Sequence, residues 1–241
     1  MTSTLILLLA YDRPDYLAQV IAGIKRMRGW RECTLIASID QRPDGTHNQE
    51  VIDLCKQVTR HVCPQKTRLD CNEHVHRALR DARDMDPDHI LYLEDDIVPA
   101  ADCLEFCYDM IPTMRHNQRI KAMTLLGQNH GDVHVAWRNR QGFKAHRWFN
   151  AWGNFYQTNC LSEILDLWPD RWDSSTIPWD THVNGEIVID HEFLVLTPLL
   201  SRVQNVGVVG RFCKGQEDFK GRVRDFWSDS DFSRPIRSNF R

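Results

Sequence analysis

Three consecutive carboxylates, Glu94, Asp95 and Asp96, stand directly after the apolar residues 90–93. Like charges crowded at the end of a buried strand destabilise the fold unless a cation compensates them. Carboxylate oxygens are hard ligands that suit Mg²⁺ or Mn²⁺, and such an ion can also bind the oxygens of a diphosphate. The triplet therefore predicts a divalent-metal site; the alternatives are a solvated acidic turn and a helix N-cap supplied by Asp96.

The elements that must position these carboxylates follow from the hydrophobic pattern of the first half of the chain. Short apolar runs predict strands at residues 4–10, 33–39, 62–63 and 89–93. Apolar residues spaced three or four apart predict helices at residues 16–27, 47–59, 72–85 and 103–114. Repeated strand–helix units favour a doubly wound α/β sheet, mainly parallel, with helices on both faces.

Polar residues follow three of these predicted strands. Asp12 and Arg13 come after the first strand, Asp40 after the second, and the acidic triplet after the fourth. Because ligands of such sheets bind beyond the carboxyl ends of the strands, we expect these side chains to converge on one cleft.

The second half of the chain has a less regular pattern. It predicts strands at residues 122–126 and 192–196, a helix at residues 162–167, and tryptophan-rich loops between them. The sequence predicts one domain at residues 1–210, with halves at 1–114 and 115–210. Residues 211–241 show no clear periodicity and are interpreted as a C-terminal tail.

Composition narrows the class of protein without identifying a ligand. A chain of 241 residues with 42% hydrophobic and 26% charged residues is typical of one globular domain, and its net charge of −3 favours no particular partner. The eight cysteines include no C-x-x-C pair, which argues against a zinc ribbon. The first apolar run, residues 5–10, is too short to cross a membrane, so we expect a cytoplasmic protein without a membrane partner.

An ordered set of motifs resembles the GT-A glycosyltransferases, and within them the animal N-acetylglucosaminyltransferase I group. The motifs span residues 8–207: LLAYDRPDYL (8–17), SID (38–40), NEHVHRAL (72–79), LEDDIVPA (93–100), AWG (151–153), PWD (178–180) and LSRVQNVG (200–207). The resemblance implies a GT-A fold, a mixed, mainly parallel sheet flanked by helices. It also implies transfer of a hexosyl-type unit from a nucleoside diphosphate sugar, a UDP-sugar by preference, to an acceptor hydroxyl. Within the domain, the resemblance implies that residues 1–114 bind the nucleotide sugar and that residues 115–210 are the acceptor-binding, catalytic half.

The resemblance also implies roles for the acidic residues. Asp96 matches the metal ligand, Asp95 the contact to the ribose, and Glu94 a contact to the donor sugar. Asp40 matches the carboxylate that accepts a hydrogen bond from uracil N3–H, which cytosine cannot supply. Asp180 matches the catalytic base, and inversion at the anomeric carbon is the expected outcome.

Other matched positions belong to the nucleotide and its diphosphate. Ala10 and Arg13 match the loop that cradles the nucleotide, where Arg13 balances phosphate or carboxylate charge. His74 matches a histidine of the nucleotide site. Ser201 and Arg202 match a loop that closes over the donor diphosphate.

The sequence departs from common GT-A patterns at two places. Thr181 follows the expected base where an acid is usual, and residues 206–215 contain no histidine that could be a second metal ligand. We therefore expect Mn²⁺ or Mg²⁺ to bind weakly, through Asp96, water and the diphosphate itself.

Trp152 stands between Ala151 and Gly153, where small neighbours leave room for a sugar to stack on the ring. Packing in the core is the alternative, because most of the eight tryptophans of the chain must be buried. Alternatives for the whole chain are a retaining transferase, a nucleotidyltransferase with the same metal site, and a nucleotide-sugar-binding module without turnover.

Residues 115–150 form a basic segment that we assign to the acceptor side. They hold seven Lys or Arg against one acid, Asp132, a net charge of +6. The cations are Arg115, Arg119, Lys121, Arg138, Arg140, Lys144 and Arg147. Basic residues among aromatic rings suit a polyanionic acceptor such as a modified DNA base or an anionic glycan. A solvated basic surface is the alternative.

Overall fold

The structure is a computed structural model that describes residues 3–127, 133–168, 177–210, 213–214, 224 and 226–230. Its first strand, β1 (Thr4–Ala10), is buried along its whole length because it lies in the middle of a sheet that helices cover on both faces. The predicted helix at residues 16–27 is α1 (Pro14–Arg26), whose start is favoured by Pro14 in the first turn.

The predicted elements of the first half are present in the predicted order with small shifts at their ends, and one further short strand, Ile97–Pro99, was not predicted. The strands are β2 (Thr34–Ile39), β3 (His61–Pro64), β4 (His89–Glu94) and the short β5 (Ile97–Pro99). The helices are α2 (Gln49–Lys56), α3 (Asp70–Asp84) and α4 (Cys103–His116). Asn48 caps α2 by accepting a hydrogen bond from the Glu50 N–H, at 3.0 Å, so the helix begins after residue 48.

The second half contains more secondary structure than the sequence predicted. Its strands are β6 (Ile120–Thr124), β7 (Phe143–His146), β8 (Asn154–Gln157), β9 (Leu194–Pro198), β10 (Val203–Asn205), β11 (Val209–Gly210) and β12 (Cys213–Lys214). Its helices are α5 (Val133–Arg138), α6 (Thr158–Leu167) and α7 (Trp179–His182), and a π-helix (Val183–Ile189) continues α7. The predicted strands at 122–126 and 192–196 are each displaced by two residues from β6 and β9.

The described residues form an eight-stranded mixed sheet in the order β3-β2-β1-β4-β8-β6-β9-β7. Strands β3, β2, β1 and β4 are parallel, and β6 is parallel to β9. β8 is antiparallel to both β4 and β6, and β7 is antiparallel to β9. A separate antiparallel pair, β5 with β10, lies next to the end of β4.

The alternation of side chains along β1 divides the core into two layers. Ile6 and Leu8 pack with apolar residues of α1, α2 and α4, whereas Leu5 and Leu7 pack with those of α3, α6 and the π-helix. None of the helices in the described ranges is long and apolar enough to cross a lipid bilayer.

Part of the predicted C-terminal tail packs on the domain. Trp227 forms a β-bridge with Ser201, and the Ser228 hydroxyl donates to Asp102 Oδ1 at 2.5 Å. Most other residues of the tail, including 231–241, lie outside the described residues.

Candidate active site at the carboxyl edge of the sheet

The register of the central strands brings three predicted site positions to one edge of the sheet. Ala10 pairs with Ile39 across β1 and β2, and Leu9 pairs with Glu94 across β1 and β4. The Asp40 N–H then donates to the Ala10 carbonyl at 3.1 Å. The predicted convergence of strand ends is therefore present for Asp40 and Glu94, and Ala10 lies at the same edge.

Glu94 lies on the sheet face that α3 covers. It shares this face with Tyr92, two residues earlier, and the Tyr92 hydroxyl donates to Glu94 Oε1 at 2.6 Å. Burial raises the pKa of Glu94 to about 8, and the negative charge of Asp96 contributes to the increase. In the ligand-free protein at neutral pH this carboxyl group is therefore mostly protonated and uncharged.

Arg13, at the start of α1, joins the other two carboxylates of the triplet. Its guanidinium donates to Asp95 Oδ1 through Nη2 and to Asp96 Oδ2 through Nη1, the latter at 2.8 Å. The Tyr11 N–H donates to Asp95 Oδ2 at 3.2 Å. Burial opposes the charged form of Arg13, but the charges of Asp96 and Asp95 outweigh it and raise the Arg13 pKa above its ordinary value. Arg13 therefore forms ion pairs with both Asp95 and Asp96.

Asp96 occupies the turn between β4 and β5 and is enclosed by a segment from the other end of the chain. The Val206 N–H donates to the Asp96 carbonyl at 2.8 Å. A Cβ atom built on Gly207 would lie 2.2 Å from Asp96 Oδ2, so a side chain at this position would force the carboxylate to move. Burial raises the pKa of Asp96 to about 6, although Arg13 opposes the shift.

The donor atoms present at Asp96 fit a divalent cation. Asp96 Oδ1 is buried and accepts no hydrogen bond from any described residue, which leaves a carboxylate oxygen unsatisfied. No three His, Cys, Asp or Glu side chains within the described ranges converge as a metal-binding group. A cation held here would therefore need water or substrate oxygens in addition to Asp96.

Asp40 and His74 form the side of the cleft next to β2. Asp40 Oδ1 accepts hydrogen bonds from the N–H groups of Gln41 and Leu69, both at 2.9 Å. His74 Nε2 and the Ser38 hydroxyl form a hydrogen bond of 2.8 Å. Burial lowers the pKa of His74 to about 4, so this imidazole is neutral at physiological pH.

Asp180 lies in α7, directly after the buried Trp179. Asn72 of α3 fixes this segment, because its amide donates to the Ile177 carbonyl at 2.8 Å and accepts from the Trp179 N–H at 3.0 Å. The Trp179 ring contacts the Tyr92 ring edge-on, with centroids 5.7 Å apart. The predicted base therefore belongs to the same side of the sheet as Glu94, and the Thr181 N–H donates to its Oδ1 at 2.9 Å.

Trp152 is half-buried and contacts both hydrophobic layers, so it contributes to packing. It precedes β8, in which Asn154 pairs with Tyr92 of β4. Since the strands are antiparallel, Trp152 lies at the end of the sheet where Glu94 is found. This position agrees with both interpretations of the residue.

Ser201 and Arg202 are fully buried, and the structure does not join them to the acidic cluster. The Ser201 hydroxyl donates to the Val203 carbonyl at 2.7 Å. The Arg202 guanidinium donates to the carbonyls of Leu200 and Arg140, each at 2.5 Å, and pairs with Asp102 at 3.2 Å. These groups surround the guanidinium, so Arg202 holds α4 and β10 together. Arg202 could contact a diphosphate only if α4 and β10 moved apart.

Several cations of the basic segment form ion pairs with acidic residues, so its positive charge is smaller than its composition suggested. Lys121 pairs with Glu163 at 2.7 Å, and Arg147 pairs with Glu192 at 2.9 Å. Arg119 also contacts Glu192. Both acids lie outside residues 115–150, which is why the local count missed them. Asp132 lies outside the described residues.

Two positions that contact the candidate site residues received no role from the sequence. Gly207 ends the motif 200–207 and Asn72 begins the motif 72–79, yet neither received a role. For Asn72 a signal exists, because an Asn in the first turn of a helix often hydrogen-bonds to backbone groups. No local signal identifies Gly207, because its partner Asp96 is remote in sequence.

Comparison with known proteins gives a fold but no family. No protein-family profile matches the sequence, and no curated protein matches it. S. aureus TarS 1–349 matches with a TM-score of 0.59 and 10% identity, over 84% of this chain and 59% of that chain. The same protein in complex with UDP-GlcNAc gives 0.59 and 10%, over 84% and 57%.

The mannosyltransferase PcManGT from Pyrobaculum calidifontis, solved in complex with GDP-Man and Mn²⁺, matches with a TM-score of 0.57 and 12% identity, over 87% of this chain and 58% of that chain. The chain thus spans under three fifths of each of these neighbours. At such identities the likeness establishes the fold, and the predicted GT-A fold is confirmed.

Proposed function

We propose that this chain is a glycosyltransferase that moves a sugar from a nucleoside diphosphate sugar, by preference a UDP-sugar, to an acceptor hydroxyl. The observation that carries the proposal is the buried Asp95–Asp96 pair, with its unsatisfied Asp96 oxygen, at the carboxyl edge of a GT-A sheet. The GT-A neighbours solved with UDP-GlcNAc and with GDP-Man and Mn²⁺ support a nucleotide-sugar donor. The motif order that resembles the N-acetylglucosaminyltransferase I group supports UDP.

The nucleotide is held by the side of the cleft that β1 and β2 form. Asp40 is fixed through Oδ1 by two backbone N–H groups, so its carboxylate has a defined orientation toward a base. Uracil N3–H can donate to such a carboxylate. Neutral His74 lines the same region, and Asp95 at the end of β4 reaches the ribose.

Asp96 is the protein ligand of a divalent ion, Mn²⁺ or Mg²⁺. When bound, the ion neutralises the negative charge that develops on the departing diphosphate. The chain contributes Asp96 as a ligand and the guanidinium of Arg13 as a second positive charge beside it. Ser201 and Arg202 are proposed for the same diphosphate only in a rearranged conformation, since both are enclosed in this one.

Asp180 is the base that removes the acceptor proton as the hydroxyl attacks, and the product is inverted at the anomeric carbon. Support comes from its place beside Trp179, which Asn72 and Tyr92 hold against the sheet face of Glu94. Protonated Glu94 is suited to donate a hydrogen bond to a hydroxyl of the donor sugar, and Trp152 offers a ring for the sugar face.

The acceptor side is built from residues of the second half. Arg138, Arg140 and Lys144 are among the exposed cations of the basic segment, and Arg140 lies over the Trp137 ring at 4.9 Å. These residues support an anionic acceptor, either a glycan or a DNA base. Anisotropy with labelled duplex DNA from low to physiological salt tests the second choice: a steep salt dependence supports it. Absence of binding at low salt argues against it.

The experiment that tests the proposed function is a panel of donors incubated with the protein and Mn²⁺. UDP-glucose, UDP-galactose, UDP-GlcNAc and GDP-mannose are scored for release of nucleoside diphosphate, with Asp96→Ala as the control. We expect release from at least one UDP-sugar and loss of that release in the variant. Release of pyrophosphate from nucleoside triphosphates instead would support a nucleotidyltransferase, and no turnover with binding retained would support a binding module.

A further inference from the structure

The Arg13 side chain covers the two aspartates from the solvent side. Side-chain exposure is 28% for Arg13, against 4% for Asp95 and 10% for Asp96. The guanidinium donates to one oxygen of each carboxylate. Arg13 is therefore more exposed to solvent than either of the carboxylates that it binds.

The other side of Asp96 is closed by the protein. Gly207 packs against Oδ2 so closely that a Cβ atom would lie 2.2 Å away, and the Val206 N–H holds the Asp96 carbonyl at 2.8 Å. Oδ1 is buried without a hydrogen bond from any described residue. An ion that binds the Asp96 carboxylate must therefore compete with the Arg13 guanidinium, which already binds Oδ2.

We propose that Arg13 is a built-in counter-ion of Asp95 and Asp96, which a divalent ion must displace before it can bind Asp96. The inference rests on the proposed function, because it concerns the metal site of that function. The metal ion and the Arg13 guanidinium compete for the same carboxylates. In the nucleotide-free protein the tethered guanidinium suppresses metal binding.

The charges explain why a nucleotide changes the outcome of this competition. Asp95 and Asp96 together carry two negative charges and Arg13 carries one positive charge, so half of the negative charge is neutralised before any metal arrives. A bound diphosphate adds negative charge and further oxygen ligands for the ion. It also gives the displaced guanidinium a new partner that binds it as well as a carboxylate does. Nucleotide and metal should therefore bind cooperatively, with Arg13 transferred from Asp96 to phosphate.

The test measures Mn²⁺ binding to nucleotide-free protein by calorimetry and by electron paramagnetic resonance of the free ion. The variants are wild type, Arg13→Gln, and Arg42→Gln as the matched control. Arg42 pairs with Asp12 at 2.5 Å in the adjacent loop, so its removal takes away the same charge without uncovering Asp96. We expect Arg13→Gln to bind Mn²⁺ roughly tenfold more tightly than wild type, and Arg42→Gln to bind it as wild type does.

A second measurement covers the case in which Arg13→Gln folds poorly, since removal of one partner leaves buried charges unpaired. Arg13→Lys keeps the charge but cannot bridge both carboxylates, and Mn²⁺ should raise its thermal unfolding temperature more than it raises that of wild type. Equal or weaker Mn²⁺ binding in both Arg13 variants, while wild type binds Mn²⁺ with UDP, would overturn this inference alone. No Mn²⁺ binding by wild type with UDP would instead count against the metal site of the proposed function.

Discussion

Gly207 lies against the carboxylate of Asp96, so that a Cβ atom on Gly207 would stand 2.2 Å from Asp96 Oδ2. This contact joins the end of β4 to the segment that follows β10. It explains how a turn residue with a buried, unsatisfied oxygen keeps one orientation. The orientation of Asp96 therefore depends on a residue from the far end of the domain.

We predict that Gly207→Ala displaces the Asp96 carboxylate from Arg13. The added methyl group cannot be accommodated without a shift of the turn, which should cost about 1–3 kcal/mol of unfolding free energy. Affinity for UDP in the presence of Mn²⁺ should fall roughly tenfold. Gly185→Ala is the control, because no atom lies within 4 Å of the position that its added methyl group would take. Wild-type UDP affinity in Gly207→Ala would show that Asp96 does not need this contact.

Asn72 supports the proposed base from a distance. In Asn72→Ala the Trp179 N–H and the Ile177 carbonyl lose their partner, which should lower the unfolding free energy by about 2 kcal/mol or more. The value of kcat should fall while the KM for the donor changes little, because Asp180 loses its support. Asn72→Asp retains the acceptor for the Trp179 N–H, so its unfolding free energy and kcat should lie between those of wild type and Asn72→Ala. Unchanged kcat in Asn72→Ala would contradict the positioning role.

Asp180→Asn tests the base itself. Donor binding should remain close to that of wild type, and turnover should fall by roughly 10²-fold or more, as expected for loss of a general base. Steady-state kinetics with calorimetry of UDP binding separates the two effects. Near-normal turnover would assign the role to another carboxylate, with Glu186→Gln and Asp190→Asn as the next variants to measure.

His74 makes the stability of the domain depend on pH. Its pKa is lowered by burial from 6.5 to about 4, so below pH 6.5 the unfolded chain binds a proton that the folded chain excludes. The contribution of His74 to the unfolding free energy is therefore fully present above pH 6.5, and it is lost as the pH falls toward 4. Between about pH 7 and pH 5 the loss should be about 2 kcal/mol.

Urea unfolding of wild type and His74→Asn at several pH values measures this difference. The variant should show a smaller loss on acidification, and His116→Asn, which changes an exposed histidine at the end of α4, should behave as wild type. Parallel curves for wild type and His74→Asn would contradict a neutral, buried His74.

Much of the nucleotide-binding half could be predicted from the sequence because its elements are regular. β1 and β4 are continuous apolar runs, and α1 and α3 show a helical period. These patterns predicted the order of strands and helices, and that order predicted that the strand ends meet at one edge of the sheet. Even there, α2 begins two residues later than predicted, because Asn48 caps the helix and excludes His47 from it.

The second half could not be predicted to the same extent, since its structure depends on contacts between remote residues. β8 is four residues long and enters the sheet between β4 and β6, which no local pattern indicates. The π-helix has no simple sequence period. The burial of Arg202 depends on Asp102 and on carbonyls of other segments, so a motif match alone could not reveal that its guanidinium is occupied.

In the proposed mechanism a divalent ion on Asp96 recruits the nucleotide. Calorimetry of UDP binding to wild type and Asp96→Ala, with Mn²⁺ and with EDTA, tests this role of the ion. We predict that wild type binds UDP roughly tenfold or more tightly with Mn²⁺ than with EDTA, and that Asp96→Ala shows no such difference. Equal UDP affinity of wild type in Mn²⁺ and in EDTA would contradict a metal ion on Asp96.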